Sequence, residues 1–290
     1  MKTILFFTTA DVTAGRQMEL RRLFASVAAF RATRPDIRIE HHLLLQRCTH
    51  PAQAMAEHGI PDGVHVTTAD GQLPLSVARN RMLATIAGDT LAPDVLVAFP
   101  DDDAWYPDGV VERVVQAFDD APELDLWFCR YGGNARNAPD IAPLTPRLQQ
   151  LLSYASSNTL FLRAPLLRAI GGFDETLGLG TAARSGEDTE FAMRAYHGAR
   201  ASLFVDARMV GHRDFDPAIR ARYYAGSLIA IGRHAHHSLP ARRAFARKLM
   251  VGVALTIRRE LTLSAFIQAL KTLARERRDP SRPAMADIFA

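Results

Sequence analysis

The sequence predicts an α/β fold with a mixed, mostly parallel sheet flanked by helices, and three observations support this prediction. Short apolar segments rich in β-branched and aromatic residues alternate with segments of helical spacing through residues 1–212. The chain has 290 residues, 48% hydrophobic and 23% charged, which is typical of a soluble protein with one large domain and an appendage. One apolar segment, 94–100, leads directly into consecutive aspartates, as a strand does at the ligand-binding edge of such a sheet.

The first part of the chain divides into strands and helices by hydrophobic period. Residues 2–9 are rich in β-branched and aromatic side chains, and Pro35 closes the first helical pattern. The predicted strands are 2–9, 37–46, 64–67 and 94–100, and the predicted helices are 15–33, 51–58 and 74–87.

The second part continues the alternation. Pro107 suits the first position of a helix, and Gly171-Gly172 ends another. The predicted elements are a helix at 107–119, a strand at 124–131, a loop at 132–146, a strand at 158–163, a helix at 164–170, a helix beginning at Glu187 and a strand at 201–205 that 209–210 continue.

Cysteine content and the lengths of the apolar runs indicate the cellular compartment. Cys48 and Cys129 are the only cysteines, so they support no disulfide framework and fit a reducing cytoplasm. The apolar N-terminal stretch is too short for a signal peptide, and no run of 18 apolar residues predicts a membrane span. We therefore expect a cytoplasmic protein.

Charge divides the chain in two. Residues 1–212 contain 20 Lys and Arg against 25 Asp and Glu, and residues 213–290 contain 15 against 6, giving formal charges of −5 and +9. We expect a catalytic domain at 1–212 and a basic helical extension at 213–290. A basic extension can bind nucleic acid, anionic lipid or an acidic partner.

Three carboxylates at the end of segment 94–100 indicate a cation site. Asp101, Asp102 and Asp103 repel one another unless a positive charge lies among them, and oxygen-rich clusters suit Mg²⁺ or Mn²⁺. The alternative is a solvated acidic turn.

A glycine-rich segment followed by acids is the second candidate. Gly178, Gly180 and Gly186 let a ligand approach the backbone, and Glu187 and Asp188 then open a helix. Acids in a first turn also complement the helix dipole, which suffices to explain Glu190.

Two further positions are candidates. His212 follows a predicted strand and can bind a metal through a neutral imidazole, although a lone histidine is more often an ordinary surface or packed residue. Arg79 and Asn80 lie among apolar neighbours on a helix, where Arg79 can pair with phosphate or form a surface salt bridge.

In order and rough spacing, these segments resemble the family 2 glycosyltransferases of the GT-A type. The segments are Arg79-Asn80, Phe99-Pro100-Asp101-Asp102-Asp103, Gly172-Phe173-Asp174-Glu175, Gly186-Glu187-Asp188 and Gly211-His212. The resemblance covers residues 1 to about 213. It implies transfer of a sugar from a nucleotide-diphosphate donor to an acceptor hydroxyl with inversion, in surface polysaccharide or glycolipid synthesis.

The resemblance also implies roles. Asp103, Asp101 and His212 would bind Mn²⁺ or Mg²⁺, and Asp188 would be the base, with Glu187 holding a glycan or lipid-linked acceptor near the loop of Gly178, Gly180 and Gly186. The expected donor-binding residues are Thr8, Thr9, Ala10, Arg47, Arg79, Asn80, Asp101 and Asp102. The sequence departs from the family after the second strand, where Gln46-Arg47-Cys48-Thr49 replaces the usual Asp or Asn.

The extension carries a basic amphipathic pattern. Its apolar side chains are Leu263, Phe266, Ile267, Leu270, Leu273 and Ala274, and its basic ones are Lys271, Arg275, Arg277 and Arg278. This pattern is typical of a helix on an anionic membrane surface, or of one that packs on the catalytic domain or a second subunit of a homodimer. Sparse aromatic residues argue against nucleic acid. The histidines of 234–237 favour a solvated basic helix end over a metal site.

Two other functions stay open from the sequence. A nucleotidyltransferase also combines an α/β sheet with acidic metal ligands, but 8–16 lacks the glycine-rich, basic phosphate loop it normally has. A nucleotide-sugar-binding or scaffold protein without activity is the other alternative.

Overall fold

A seven-stranded sheet organises the chain. The computed structural model describes residues 1–86, 88–214, 221–276 and 289. The strands are β1 (Thr3–Asp11), β2 (Arg38–Gln46), β3 (Val64–Ala69), β4 (Val95–Ala98), β5 (Leu124–Gly132), β6 (Leu160–Arg163) and β7 (Ala201–Gly211). Their order across the sheet is β3-β2-β1-β4-β6-β5-β7.

All neighbouring pairs are parallel except those of β6, which runs antiparallel to both β4 and β5. The carboxyl ends of β1, β2, β4, β5 and β7 therefore meet at one edge of the sheet, and β6 begins at that same edge. The predicted mixed, mostly parallel sheet is confirmed. This edge is where ligands bind in open α/β sheets.

Helices cover both faces of the sheet. Seven belong to the first 212 residues: α1 (Gln17–Thr33), α2 (Pro51–His58), α3 (Leu75–Leu83), α4 (Val110–Asp120), α5 (Leu148–Tyr154), α6 (Ala164–Ile170) and α7 (Glu187–Gly198). Because side chains alternate along β1, Ile4 and Phe6 pack with α1 and α4, while Leu5 and Phe7 pack with α3, α6 and α7. Burial of both apolar layers is what stabilises the fold.

The structure differs from the sequence predictions at four elements. The helix predicted at 107–119 begins at Val110, because Gly109 adopts φ 77° and Pro107 lies in the preceding turn. The helix predicted at 74–87 ends at Leu83. Helix α5 was not predicted, and β7 is one strand whose pairing with β5 is irregular near Cys129 and Arg130.

Three helices form the described part of the extension: α8 (Tyr224–His234), α9 (Leu239–Ile257) and α10 (Leu263–Glu276). They share a core around Tyr224, Leu228 and Leu255. Helix α8 also packs against α7, so the extension contacts the sheet domain. The division at residue 212 stays a prediction.

Helix α10 only partly follows its predicted pattern. Leu273 is buried and Phe266 and Leu270 pack in the extension core, whereas Leu263 and Ile267 are exposed. The predicted basic positions Arg277 and Arg278 lie outside the described residues. No helix among the described residues is long and apolar enough to cross a membrane.

Candidate active site

Two strand ends bring the predicted metal ligands together. Asp101 and Asp103 follow β4, and His212 follows β7 at the same edge of the sheet. One potential ligand atom from each residue lies within 4.8 Å of the others. The Nε2 atom of His212 is 3.0 Å from Oδ1 of Asp103 and 3.6 Å from Oδ2 of Asp101.

A backbone pairing holds His212 in place. Trp105 and Gly211 exchange two backbone hydrogen bonds of 3.0 and 2.8 Å, which joins the aspartate turn to the end of β7. A Cβ atom on Gly211 would overlap the Trp105 ring, so the close approach requires glycine. The Nδ1 atom of His212 lies 2.8 Å from the carbonyl oxygen of Arg213, which assigns the proton of the neutral ring to Nδ1 and leaves Nε2 facing the carboxylates.

The donor atoms fit a divalent cation. Oδ1 of Asp103 and Nε2 of His212 are buried, and apart from their 3.0 Å contact with each other neither has a hydrogen-bond partner among the described residues. With the ring proton on Nδ1 both atoms are acceptors, so a proton or a cation must lie between them. Two carboxylates and one imidazole form a donor set that suits Mn²⁺ or Mg²⁺.

Asp102 lies apart from the triad of Asp101, Asp103 and His212. Nη1 of Arg16 donates to Oδ1 of Asp102 at 2.6 Å and also lies 3.8 Å from Asp103. Burial raises the pKa of Asp102 to about 6, against the opposing effect of Arg16. The sequence left open which aspartates act together, and the structure groups Asp101 and Asp103 with His212.

Burial and neighbouring charges shift the pKa values of Asp101, Asp103 and His212 in different directions. Burial raises the pKa of Asp101, against the lowering effect of Arg79. Burial also acts to raise the pKa of Asp103, but His212 and the neighbouring arginines outweigh it, and the net pKa lies below its usual range. Burial lowers the pKa of His212, and the two carboxylates more than offset this, so its net pKa is raised.

Arg79 connects the triad to the second candidate segment. Its Nη2 donates to Asp101 at 3.0 Å and to Oγ of Ser157 at 2.7 Å, and its Nη1 donates to Oδ1 of Asp188 at 2.8 Å. Arg79 is only 2% exposed, so the surface salt bridge considered for it is wrong. A buried arginine between two carboxylates fixes their separation.

Asp188 is held on its other oxygen by two serines. Its Oδ2 accepts hydrogen bonds from Oγ of Ser156 at 3.0 Å and from the backbone N and Oγ of Ser157, both at 3.1 Å. Burial acts to raise the pKa of Asp188, but Arg79 and these hydrogen bonds outweigh it, and the net pKa is lowered. Asp188 is therefore ionised at neutral pH.

Glu187 differs from its neighbour. It is buried, and burial together with the charge of Asp188 raises its pKa to about 7. The helix thus begins with one carboxylate that is ionised and one that is half protonated near neutral pH. Repulsion between adjacent acids raises the pKa of Glu187 and not that of Asp188.

Sequence reasoning missed the polar run before β6. Ser156 and Ser157 contact Asp188, and Oδ1 of Asn158 accepts a hydrogen bond of 3.0 Å from the backbone N of Asp101. The antiparallel direction of β6 places the residues before it at the carboxyl edge. A Ser-Ser-Asn run just ahead of an apolar strand was the available signal, and Arg16, directly before α1, was another.

The predicted donor-binding residues of β1 lie at the same edge. Thr8 is fully buried, with its Oγ1 3.0 Å from Nε2 of His41, and Ala10 is buried too. Thr9 is partly exposed. Among the three positions, Thr9 therefore offers the most accessible side chain.

Arg47 lies at the end of the neighbouring strand β2. It adopts φ 55°, and its guanidinium donates to Gln72 at 2.5 Å and lies 3.4 Å from Asp11, at the end of β1. These contacts hold the Arg47 guanidinium next to the ends of β1 and β2.

Asn80 has different contacts from those expected of a donor-binding residue. Its Nδ2 donates to the carbonyl of Phe173 at 2.8 Å and to Glu175 at 2.9 Å, and its Oδ1 accepts from the backbone N of Phe173 at 2.7 Å. The amide is therefore occupied at both ends by the segment that follows α6.

The predicted acceptor loop is held between two helices. Gly178, Gly180 and Gly186 adopt φ of 104°, 88° and 96°, conformations that favour glycine. Gly180 packs on Pro74 ahead of α3, and Gly186 packs on the backbone of Gly226 in α8, where a Cβ atom on either glycine would overlap the neighbouring backbone. The loop consequently ends at Glu187 in a fixed position.

Comparisons with known proteins agree with this geometry. A family model described as glycosyl transferase family 2 matches residues 16–170, just over half of the chain. The crystal structure of residues 1–349 of S. aureus TarS in complex with UDP-GlcNAc is similar with a TM-score of 0.66 and 17% identity, covering 95% of this chain and 81% of that one. The crystal structure of the same residues in complex with UDP is similar with a TM-score of 0.63 and 18% identity, covering 95% of this chain and 83% of that one. A third structure of S. aureus TarS gives 0.60 and 18%, covering 97% of this chain and 50% of that one. At these identities the likeness shows a shared fold. A comparison with curated proteins found no match.

Proposed function

Because the chain belongs to glycosyl transferase family 2, we propose that it is a metal-dependent inverting glycosyltransferase that moves a sugar from a nucleotide-diphosphate donor to an acceptor hydroxyl. The observation that carries the proposal is the convergence of Asp101, Asp103 and His212, in which buried Oδ1 of Asp103 and Nε2 of His212 face each other at 3.0 Å, beside an ionised Asp188. Family membership argues against the nucleotidyltransferase alternative.

The proposed donor site extends from the triad along the ends of β1 and β2. Asp101, Asp103 and His212 would hold Mn²⁺ or Mg²⁺, which supplies a Lewis acid for the negative charge that develops on the diphosphate as the glycosidic bond breaks. Thr9 and Arg47, at the ends of β1 and β2, would contact the nucleoside. S. aureus TarS has been solved with UDP-GlcNAc and with UDP, so uridine diphosphate sugars are the first donors to test.

Asp188 is the proposed base. As the acceptor oxygen forms its bond to the anomeric carbon, Asp188 takes the hydroxyl proton, and the bonding electrons of the departing group leave with the diphosphate. Arg79 is a positioning residue, because it contacts both Asp188 and Asp101 and so fixes the base relative to the triad. Glu187, with a pKa of about 7, can donate or accept a hydrogen bond to the acceptor. We assign Asn80 a structural role, because both ends of its amide bind the segment after α6.

A thermal-shift screen of nucleoside diphosphates, with and without Mn²⁺, tests the donor site. The matching base should raise apparent stability by roughly 2.7 kcal/mol at one hundred times its Kd. Asp103→Ala should abolish the Mn²⁺-dependent part of this shift, and Asp206→Asn, an exposed carboxylate on β7, should not. Binding that is independent of both metal and Asp103 would reject the metal role.

Donor turnover distinguishes an enzyme from a binding protein. Release of the nucleoside diphosphate in the presence of a glycan or lipid-linked acceptor should require Asp188. A protein that binds donor without any turnover would instead be the non-catalytic alternative.

We also propose that the extension attaches the enzyme to an anionic membrane surface on its cytoplasmic side, where a lipid-linked acceptor in polysaccharide or glycolipid synthesis would lie. Exposed apolar side chains at the α9–α10 corner carry this proposal, Ile257 being 76% exposed. The others are Met250, Val253, Leu263 and Ile267, and exposed basic side chains lie among them at Arg243, Arg247, Arg258, Arg259 and Lys271. Apolar insertion and attraction to anionic lipid act together in such helices.

Sedimentation with vesicles tests this attachment. The full chain should pellet with phosphatidylglycerol vesicles at low salt, and Ile257→Glu with Leu263→Glu should abolish pelleting. Ser264→Glu with Gln268→Glu adds the same charge at exposed polar positions and should reduce pelleting only partly. A chain that stays in the supernatant but forms dimers by light scattering would show that the corner is a subunit interface.

A further inference from the structure

Three histidines gather at the end of α7 that lies away from the candidate active site. His197 is in the last turn of α7, His234 is the last residue of α8, and His237 lies in the turn before α9. Nine residues separate Asp188 from His197, which is about 14 Å along the helix. The sequence had favoured a solvated helix end for this region, yet His234 is buried.

The three rings are close enough to share one ion. Their centroids are 4.7 Å apart for His197 and His237, 5.3 Å for His234 and His237, and 5.8 Å for His197 and His234. One ring nitrogen from each lies within 4.8 Å of the others. Two of the nitrogens, Nε2 of His197 and Nδ1 of His234, are buried and have no hydrogen-bond partner among the described residues.

Two further ring nitrogens, on His234 and His237, are oriented as they are in ligating histidines. Nε2 of His234 faces Oε1 of Glu190 at 3.4 Å, and Nδ1 of His237 faces the carbonyl of His234 at 3.3 Å. These acceptors assign the protons to those two nitrogens, which leaves Nδ1 of His234 and Nε2 of His237 as lone-pair donors. A carboxylate or carbonyl on the second nitrogen is the usual support of a metal-bound histidine.

Glu190 is itself fixed. It is buried, and Nε of Arg194 donates to both its carboxylate oxygens at 2.9 Å.

We propose that His197, His234 and His237 form a second metal site, for a transition-metal ion such as Zn²⁺, that fastens α8 of the extension to α7. Three imidazoles without carboxylate or thiolate favour Zn²⁺ over the oxygen-seeking Mg²⁺ and Mn²⁺ of the first site. Tetrahedral zinc with bonds of about 2.0–2.1 Å needs nitrogens roughly 3.3 Å apart, so the side chains must draw together on binding. His237 is exposed and can supply most of this movement.

Calorimetric titration of the untagged full chain with Zn²⁺, after treatment with a chelator, tests the site. In Asp103→Asn, which removes a ligand of the first centre, one Zn²⁺ should still bind per chain at the three histidines. His197→Gln and His237→Gln should each weaken binding at least tenfold. His50→Gln, an exposed histidine just before α2, should change it by less than about twofold.

A thermal scan gives a second readout. Zn²⁺ at one hundred times its Kd should raise the melting temperature by roughly 5 °C in the wild type, and by far less in His237→Gln. Equal Zn²⁺ affinity in the wild type and in both glutamine variants would overturn the proposal, as would the absence of Zn²⁺ binding. Comparable binding of Mn²⁺ by the Asp103→Asn chain would also overturn it.

Discussion

The two ends of α7 carry opposite kinds of chemistry. The first turn presents Glu187 and Asp188 to the carboxyl edge of the sheet, and Asp188 is satisfied on both oxygens by Arg79 and two serines. The last turn presents His197 to a cluster of imidazoles, where its Nε2 has no partner among the described residues. A group satisfied within the chain is fixed in position and charge, whereas buried lone pairs without partners favour a ligand.

The largest effect is expected at the first end. Asp188→Asn should lower kcat by roughly 10²–10⁴-fold, because the amide cannot accept the acceptor's proton. The rate of nucleoside diphosphate release measures this, and calorimetry should show donor affinity close to that of the wild type. Asp206→Asn is the matched control. Full turnover by Asp188→Asn would reject the base assignment and make Glu187 the next candidate.

Substitution of Arg79 breaks the link between Asp188 and the triad of Asp101, Asp103 and His212. Arg79→Met leaves the half-buried carboxylates of Asp101 and Asp188 without their shared cation and should lower the free energy of unfolding by up to about 3–5 kcal/mol. Urea unfolding measures the loss. Arg81→Met, an exposed arginine on the same helix, should change stability by no more than about 0.5 kcal/mol. A similarly small loss in Arg79→Met would show that the two carboxylates need no shared cation.

Glu187 makes the stability of the folded protein depend on pH. Because its pKa is about 7 when folded, above the ordinary 4.5, the folded state keeps a proton that the unfolded state releases. This contribution to stability is fully present below about pH 4.5 and is lost as the pH rises through 7.

Wild-type stability should therefore fall between pH 5 and pH 8, and Glu187→Gln should remove up to about 3 kcal/mol of that fall. Urea unfolding at the two pH values measures it, with the exposed Glu123→Gln as control. Identical pH profiles for wild type and Glu187→Gln would show that its pKa is not raised.

The smallest effect is expected at the far end. His197→Gln, assayed without added Zn²⁺, should leave kcat/KM within about twofold of the wild type, because it touches neither the triad nor Asp188. A large loss would show that the two ends of α7 are coupled through the helix.

The meeting of the strand-end side chains at one edge was predictable from the sequence, because strand ends are marked by local patterns. Asp101, Asp103 and His212 each follow an apolar strand, and parallel strands deliver their ends to one edge. The fold class and the bounds of α2 and α6 followed from hydrophobic period in the same way.

Contacts between distant segments were not predictable. Ser157 reaches Asp188 only because β6 reverses direction, and the sequence does not mark that reversal. Glu190 was explained by the helix dipole, yet it pairs with Arg194 and faces His234, which depends on how α8 packs. Burial of His234 likewise depends on tertiary packing that a helical period does not specify.

The backbone contact between Gly186 and Gly226 has a consequence for how the enzyme is made. A ribosome adds about 5–20 residues per second, and the exit of the chain is vectorial. The sheet and all its active-site carboxylates are synthesised before α8, but the start of α7 has its packing partner only once Gly226 has emerged. The first turn of α7, with Glu187 and Asp188, therefore acquires its finished packing only after the whole sheet has been synthesised and α8 has joined it.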